Sequence, residues 1–376
     1  MAHMVHNWQL GRDMENPYQA ARPKKQFAMV IDTNKCISCQ TCTVACKTTW
    51  TTGRGQEYMF WNNVETKPFG YFPLGWDVNV LDKLGVQDMS SPSYAGKTLF
   101  EAAPNGERVL GYLPEDRDWA HPNIGEDDSF GEMARGAFID SVHMQWMYYL
   151  PRICNHCTYP ACLGACPRQS IYKRPEDGIV LIDQQRCRGY RECVKGCPYK
   201  KVQFNPISRV SEKCIGCYPA LENNRQTQCT ITCIGKIRLQ GYIGTPATAR
   251  EDNPLDYLIH VTKIAKPLYP QFGLEPNVYY IPPVHVPPRF LTQMFGWGVD
   301  EAIATYRQAS GNKQLLAALL LFGSTPDIIY RFRAEGRYAI GYDEKGAELV
   351  RVPLREPIFL RVAYDDQHKT HRTNIT

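Results

Sequence analysis

The sequence contains no apolar run long enough to cross a membrane. The longest run, from 315 to 322, has eight residues, whereas a membrane-spanning helix needs about twenty. The opening residues lack the apolar core of a secretory signal peptide, so we expect none to be present. Net charge is slight as well: 43 basic and 38 acidic residues leave +5, too little to indicate nucleic acid by itself. We therefore expect neither a direct membrane span nor a nucleic-acid partner.

Two further absences concern chemistry. No pair of carboxylates, Ser–His arrangement or phosphate-binding loop stands out at a recognisable spacing, so we expect no catalytic residue in this chain. The 15 cysteines cannot all form disulfides because their number is odd, and a chain of 376 residues does not need such staples to build a core. These absences favour metal ligation as the role of the cysteines.

The cysteines fall into four groups that leave none over. The groups are Cys36, Cys39, Cys42 and Cys46; Cys154, Cys157, Cys162 and Cys166; Cys187, Cys193 and Cys197; and Cys214, Cys217, Cys229 and Cys233. Strand-like segments lie beside them at 26–32, 178–183, 201–204 and 237–242, and a turn at 174–178 predicts a hairpin. The repeated order of strand, cysteine loop, short helix and hairpin predicts an α+β fold with two ferredoxin-like two-cluster units.

The predicted units are interrupted by other segments. We expect an N-terminal arm at 1–23, a first unit at 24–50 plus 207–245, and a second unit at 151–206. Between them lies a long insertion at 51–150, interpreted as a solvated cover that includes an acidic stretch at 115–132. A C-terminal extension at 246–376, interpreted as a subunit-contact region, has a helical pattern from about 299 to 323 and then a strand-like tail.

The first group has the spacing C-x2-C-x2-C-x3-C, in which three cysteines bind one cluster and the fourth binds another. Applied to each unit, this rule predicts four ligand sets, which we call sets A to D. Three are expected to hold a [4Fe–4S] cluster: set A (Cys36, Cys39, Cys42, Cys233), set B (Cys46, Cys214, Cys217, Cys229) and set C (Cys154, Cys157, Cys162, Cys197). Set D has three cysteines, Cys166, Cys187 and Cys193.

Set D lacks one ligand because the third group reads C-R-G-Y-R-E-C, with Tyr190 at the vacant ligand position. Tyrosine is a poor ligand for a cluster iron, and its ring is expected to fill the space of a fourth iron. The sequence therefore predicts a [3Fe–4S] cluster in set D.

The alternative to iron–sulfur clusters is structural zinc, because C-x-x-C pairs are common in zinc-binding modules. Zinc does not explain the three-cysteine spacing of the first group or the Cys-Pro pairs at 166–167 and 197–198.

His156, between two ligands, is interpreted as a hydrogen-bonding neighbour and not as a ligand. Eight basic residues between 186 and 213 are expected to tune the clusters or to dock a partner.

The segments at 35–50, 55–68, 151–201 and 212–222 closely resemble the iron–sulfur beta subunit of type II dimethyl-sulfoxide-reductase-family molybdoenzymes. That family includes ethylbenzene and dimethylsulfide dehydrogenases, selenate, chlorate and perchlorate reductases, nitrite oxidoreductase and nitrate reductase. The opening HNWQLGR and the long C-terminal region are most similar to the ethylbenzene dehydrogenase branch; a nitrate-reductase-like or nitrite-oxidoreductase-like subunit is the alternative.

The resemblance implies an electron-transfer subunit of a heterotrimer, with three [4Fe–4S] clusters and one [3Fe–4S] cluster and an aromatic residue matching Tyr190. It also implies an alpha subunit with a molybdenum cofactor, towards which sets A and B should lie, and a gamma subunit with haem b at the set D end.

Periplasmic location is expected, with export of the folded chain alongside an alpha subunit carrying a twin-arginine signal; a cytoplasmic complex bound to the membrane through a partner is the alternative. A zinc-stapled binding module and a free-standing ferredoxin are the competing functions.

Overall fold

The computed structural model describes residues 3–68, 70–119, 146–355, 361–365 and 370–374, the last two ranges as backbone strands only. From residue 120 onward, the acidic stretch predicted at 115–132 lies outside these ranges. Within the described part of the chain, no helix is both long and apolar enough to cross a membrane.

The strands are short, and most belong to hairpins. In chain order they are β1 His3–Asn7, β2 Arg12–Asn16, β3 Gln26–Asp32, β4 Asn63–Lys67, β5 Gln87–Asp88, β6 Ala95–Gly96, β7 Tyr148–Arg152, β8 Ile171–Lys173, β9 Val180–Ile182, β10 Val202–Asn205, β11 Val210–Lys213, β12 Arg238–Ile243, β13 Lys266–Pro267, β14 Val278–Ile281, β15 Arg331–Glu335, β16 Tyr338–Tyr342, β17 Glu348–Pro353, β18 Arg361–Asp365 and β19 Thr370–Asn374.

The helices are also short. They are α1 Thr41–Trp50, α2 Trp76–Leu84, α3 Ala161–Ala165, α4 Glu192–Gly196, α5 Tyr218–Leu221, α6 Gln228–Ile231, α7 Pro254–Asp256, α8 Pro288–Phe295, α9 Val299–Arg307 and α10 Lys313–Leu320. Single turns of 3-10 helix lie at Thr33–Lys35, Asp116–Trp119, Pro270–Phe272 and Ala309–Gly311, and a π-helix lies at Tyr257–Val261. The mixture of helices and strands is that of an α+β fold.

The largest sheet has the order β12-β3-β14-β13 and brings distant parts of the sequence together. Strand β3 pairs antiparallel with β12 and parallel with β14. All but the first residue of β3 are buried, consistent with its apolar sequence and central place. The sheet therefore holds the chain before the first cysteine group beside the chain after the fourth group, and it includes two strands from the C-terminal region, β14 and β13.

Hairpins flank the second and third cysteine groups, as the sequence predicts. Strands β8 and β9 pair antiparallel across the turn at 174–178, and β10 pairs antiparallel with β11. The insertion is joined to this region by pairing of β4 with β7. Buried apolar side chains from the insertion, the cysteine regions and the C-terminal region form one core, and a second core packs C-terminal residues against the other face of β3.

The helical pattern predicted at 299–323 forms two helices, α9 and α10, and not one. The break follows from its sequence: the Asn312 side chain accepts hydrogen bonds from the backbone N–H groups of Gln314 and Leu315, which makes it the N-cap of α10. The strand-like tail is confirmed, because β15, β16 and β17 form an antiparallel sheet.

Candidate functional site

The four cysteine loops share one backbone feature. Two residues after the first cysteine of each group, the chain has a positive φ, between 42° and 66°, at Ser38, His156, Gly189 and Gly216. Such left-handed residues turn backbone N–H groups towards a common centre, and the N–H of Gly216 donates to the Cys214 sulfur at 3.3 Å. The chain thus forms the same sulfur-facing loop four times, although only two of the four positions are glycine.

A second repeated turn follows the last cysteine of three groups. The backbone N–H groups of Gln169, Lys200 and Lys236 donate to the carbonyls of Cys166, Cys197 and Cys233 at 3.1–3.2 Å, and all three donors have positive φ. Proline follows the first two of these cysteines and supplies the φ that such a turn requires. This explains why the Cys-Pro pairs recur.

The structure brings together cysteines from the first and fourth groups: the four of set B, and Cys36, Cys42 and Cys233 of set A. Burial raises the pKa of Cys36 to about 11, with Cys42 and Cys233 among the charges that raise it. Burial also raises the pKa of Cys46, and so do Cys229 and Cys217. All four cysteines of set B line one cavity. Packing of α1 against α6 holds these groups together.

The second and third groups meet in the combinations called sets C and D. All four cysteines of set C line a second cavity, and burial raises the pKa of Cys157, helped by the other three. In set D, burial raises the pKa of Cys193 to about 12, with Cys166 and Cys187 adding to the rise. Helices α3 and α4, which carry ligands of both sets, pack against each other.

Electrostatic neighbours connect set A with B, set B with C and set C with D. Arg238 faces cysteines of both A and B. The charge of Cys154 in set C raises the pKa of Cys214 in set B, and Cys193 in set D raises the pKa of Cys162 in set C. A charged group in or beside each set therefore acts on a cysteine of the next set. A path for electrons requires sets that are neighbours in this way.

Buried donors around the cavities fit an iron–sulfur group. The His156 ring nitrogen Nδ1 accepts from the Val180 N–H at 3.1 Å, so Nε2 carries the proton; Nε2 is buried with no partner. His156 lines the cavities of both set B and set C, and its pKa is lowered by burial, which keeps the ring neutral. The indole N–H of Trp61, beside set B, is likewise buried and unpartnered. Cluster sulfides would accept these hydrogen bonds.

Thiols in these positions keep their protons unless a metal replaces them. Burial and neighbouring sulfur charges raise the pKa of a cysteine in each set, and a coordinated metal deprotonates a thiol outright. Within the described ranges, no group of three or more His, Cys, Asp and Glu side chains is arranged to hold a single metal ion.

Tyr190 lies in the loop between two cysteines of set D, Cys187 and Cys193. The loop residues on either side, Gly189 and Arg191, have φ values of 66° and 61°, matching Ser38 and Gln40 on either side of Cys39. Tyr190 is 62% exposed, and Cys39 at the matching place is also exposed. Exposure therefore does not exclude a residue from the ligand position, and the expectation that the Tyr190 ring fills the place of a fourth iron stays a prediction.

The basic run at 186–213 divides into two kinds of residue. Arg186, Arg188, Arg191 and Arg209 are exposed, whereas Lys200, Lys201 and Lys213 are buried; the eighth, Lys195, is partly exposed and pairs with Glu107. The Lys213 amine donates to the Val180 and Cys214 carbonyls, and it lines the set C cavity. Burial lowers the pKa of Lys201 to about 7, against which Cys46 and Cys214 act to raise it. Negatively charged clusters would stabilise the protonated, positively charged form of these two lysine amines.

Sequence reasoning missed Arg238 in β12. Its side chain is 0% exposed and its Nη2 donates to the Cys42 sulfur at 3.2 Å. The available signal was a lone cation at the start of a segment predicted as a strand, directly after the fourth cysteine group.

Comparison with known proteins agrees with this geometry. Residues 145–243 match the model of the 4Fe-4S dicluster domain family. The chain is 39% identical to chlorate reductase subunit beta of Ideonella dechloratans and 39% identical to selenate reductase subunit beta of Thauera selenatis, in each case over 84% of this chain and 99% of the relative. It is 32% identical to the respiratory nitrate reductase 1 beta chain of Escherichia coli K12, over 69% of this chain and 70% of that protein.

Proposed function

Because this chain belongs to the family of iron–sulfur beta subunits of type II dimethyl-sulfoxide-reductase-family molybdoenzymes, we propose that it relays electrons between a molybdenum alpha subunit and a haem b gamma subunit. The observation that carries the proposal is that neighbouring sets are in contact: Arg238 connects A with B, His156 lines the cavities of both B and C, and the packing of α3 against α4 connects C with D. When bound, iron–sulfur clusters supply one-electron redox chemistry, and the residues of this chain hold them in sequence.

We assign three [4Fe–4S] clusters to sets A, B and C and one [3Fe–4S] cluster to set D. The grouping of sulfur atoms supports the first three assignments, because each of these sets contains four cysteines. The cysteine loop with Tyr190 at its rim supports the fourth, since that loop has the left-handed residues of a ligand loop but lacks its cysteine. The Ser170 hydroxyl and backbone N–H approach the Cys166 sulfur at 3.1 and 3.4 Å and would stabilise a ligating thiolate.

Two ferredoxin-like units account for this grouping. One would consist of 24–50 and 207–245 and hold sets A and B; the other, 151–206, would hold sets C and D. Pairing of β3 with β12 joins the two parts of the first unit. The 1–23 arm, the 51–150 insertion and the 246–376 region would then surround the units and contact partner subunits.

The set A end suits the molybdenum subunit. Cys39 is exposed there, and neighbouring apolar side chains stand at the surface with exposures of 42–66%: Ile37, Val44, Ile231 and Ile234. An apolar surface beside an exposed ligand is what close docking of another redox protein needs. At the other end, exposed Tyr190 and the exposed arginines of the 186–213 run suit the gamma subunit.

We further propose a periplasmic complex exported through the alpha subunit, of the ethylbenzene dehydrogenase branch. A nitrate-reductase-type subunit is the second candidate, favoured by the similarity to the nitrate reductase 1 beta chain. Tagging this chain in its native host and identifying the co-purifying large chain separates the two. A molybdenum-containing partner supports the relay, whereas purification as a stable monomer would remove it.

Metal analysis of the purified complex tests the cluster assignment against zinc. Iron with a similar amount of acid-labile sulfide in this chain is expected. Zinc without sulfide would replace the proposal by a zinc-stapled binding module.

A further inference from the structure

Arg238 is a buried cation without an anionic partner from a carboxylate in the described part of the chain. Its Nη2 donates to the Cys42 sulfur and to the Asn62 side-chain oxygen, each at 3.2 Å. Its Nε and Nη1 are buried and have no partner at all. A buried guanidinium is costly unless negative charge and hydrogen-bond acceptors surround it, so the protein must supply both by another route.

The sulfur atoms around Arg238 identify that route. Its Nη2 donates to the Cys42 sulfur of set A and to Asn62, which lines the cavity of set B. The guanidinium therefore lies between two predicted clusters, and cysteine charges of both sets raise its pKa. Strand β12 fixes it there, because Arg238 pairs with Ile31 of β3 in the largest sheet.

We propose that Arg238 is a counter-cation shared by the clusters of sets A and B, and that its charge raises the midpoint potential of both. The inference rests on the proposed function, because it requires clusters in both sets. Each cluster with four thiolates carries net negative charge, and reduction adds one more. A fixed positive charge in a water-poor interior stabilises the reduced form, and the unpartnered Nε and Nη1 would donate to cluster sulfur.

The effect should be confined to one end of the path. Within the described residues, Cys42 of set A is the one cysteine whose sulfur accepts a hydrogen bond from Arg238. Sets B and C instead share the buried amine of Lys213, which donates to the Cys214 carbonyl and lines the cavity of set C. Loss of the Arg238 charge should therefore shift two clusters and leave the other two nearly unchanged.

The test is a redox titration followed by EPR on the purified complex, comparing wild type with Arg238→Met and Arg238→Lys. In Arg238→Met we expect the potentials of the set A and set B clusters to move down together, with the set C and set D clusters as internal references. In Arg238→Lys, which keeps the charge, we expect both potentials to stay near those of wild type. Iron and acid-labile sulfide are measured in each preparation.

The outcomes separate this inference from the function it rests on. Wild type without clusters would contradict the proposed function itself. A fully loaded Arg238→Met with unchanged potentials would overturn the counter-cation role while the function stands. If Arg238→Met does not load its clusters, Arg238→Lys decides: normal loading and potentials support the role of charge, and failure to load, or lowered potentials, overturn it.

Discussion

Residue 190 is where a single side chain is expected to decide the type of a cluster. The backbone on either side of Tyr190 matches that around Cys39, and each loop leads directly into a helix, α4 or α1, through a left-handed residue. A cysteine at 190 would therefore start from the backbone position of a ligand.

We expect Tyr190→Cys to convert the set D cluster to [4Fe–4S]. EPR of the oxidised complex should lose its three-iron signal because the added thiolate retains the fourth iron. Tyr190→Phe is the matched control and should keep the signal, since it removes only the hydroxyl. Persistence of the full signal in Tyr190→Cys, with the cysteine confirmed by mass spectrometry, would refute the assignment of the vacant position.

The buried ion pairs of Glu65 are a second feature at this scale. Its carboxylate accepts from Arg152, from the Trp76 indole at 3.0 Å and from the Phe72 backbone N–H at 3.0 Å. Lys67 lies 3.5 Å away, and both cations and Glu65 itself are at most 1% exposed. Arg152 also donates to the Tyr199 carbonyl, just after Cys197 of set C. Glu65 of the insertion is thereby linked, through Arg152, to the turn that follows Cys197.

Glu65→Gln should destabilise the protein by about 3–5 kcal/mol, because it leaves buried positive charge without its partner. The measurement is the urea concentration at which visible cluster absorbance is lost. Glu344→Gln is the control, since Glu344 pairs with Lys25 where both side chains are about half exposed and such a pair contributes at most about 1 kcal/mol. Equal effects of the two substitutions would show that burial of the network adds nothing.

At the scale of elements, the cysteine loops depend on close backbone approach. Gly189 has φ +66°, and a Cβ there would lie 2.4 Å from the Arg209 carbonyl oxygen in the turn between β10 and β11. Because that atom belongs to the backbone, it cannot move aside cheaply. The hairpin β10–β11 also reaches set D directly, since the Ser211 N–H donates to the Cys187 sulfur at 3.5 Å.

Gly189→Ala should reduce cluster occupancy in set D before the other sets. We expect a smaller three-iron EPR signal per protein, with the signals of the reduced [4Fe–4S] clusters retained. Gly346→Ala is the control, because Gly346 also has positive φ (+89°) but open space where a Cβ would stand; it should load normally. A normal three-iron signal in Gly189→Ala would show that the close approach to Arg209 does not matter.

Local elements were predictable from the sequence, and their long-range partners were not. The strand Gln26–Asp32 was predicted with its bounds, because a β-branched and apolar run between turn residues has a strong local signal. Its parallel pairing with β14 was not predicted, since the two strands are separated by more than two hundred residues and nothing local specifies that contact. The break before Lys313 was missed because apolar periodicity continues across it, and only the Asn312 cap ends the pattern.

The same distinction applies to the site. Spacing alone predicts the crosswise grouping of the cysteines, because ligand motifs are local, and the cysteines of sets B and C each line a common cavity. The burial of Arg238, and the division of the basic run into exposed arginines and buried lysines, depend on packing between segments far apart in sequence. These residues supply the positive charge around the predicted clusters. The sequence therefore did not predict the groups that we propose to set the midpoint potentials of the clusters.

For the molecule as a whole, the line of four sets is the central feature. Sets A and B combine the first and fourth cysteine groups, which lie far apart in the sequence. Sets C and D combine the second and third groups, which lie between them. The order A, B, C, D leaves an exposed ligand position at each end, Cys39 at one and Tyr190 at the other. A chain that carries electrons between two partners needs both ends near a surface.

EPR-monitored redox titration of the purified complex tests this account most directly. It predicts a three-iron signal in the oxidised protein and, on stepwise reduction, the signals of [4Fe–4S] clusters that broaden one another because neighbouring sets are close. Protein that binds its partner but shows no cluster signal in any oxidation state would contradict the relay.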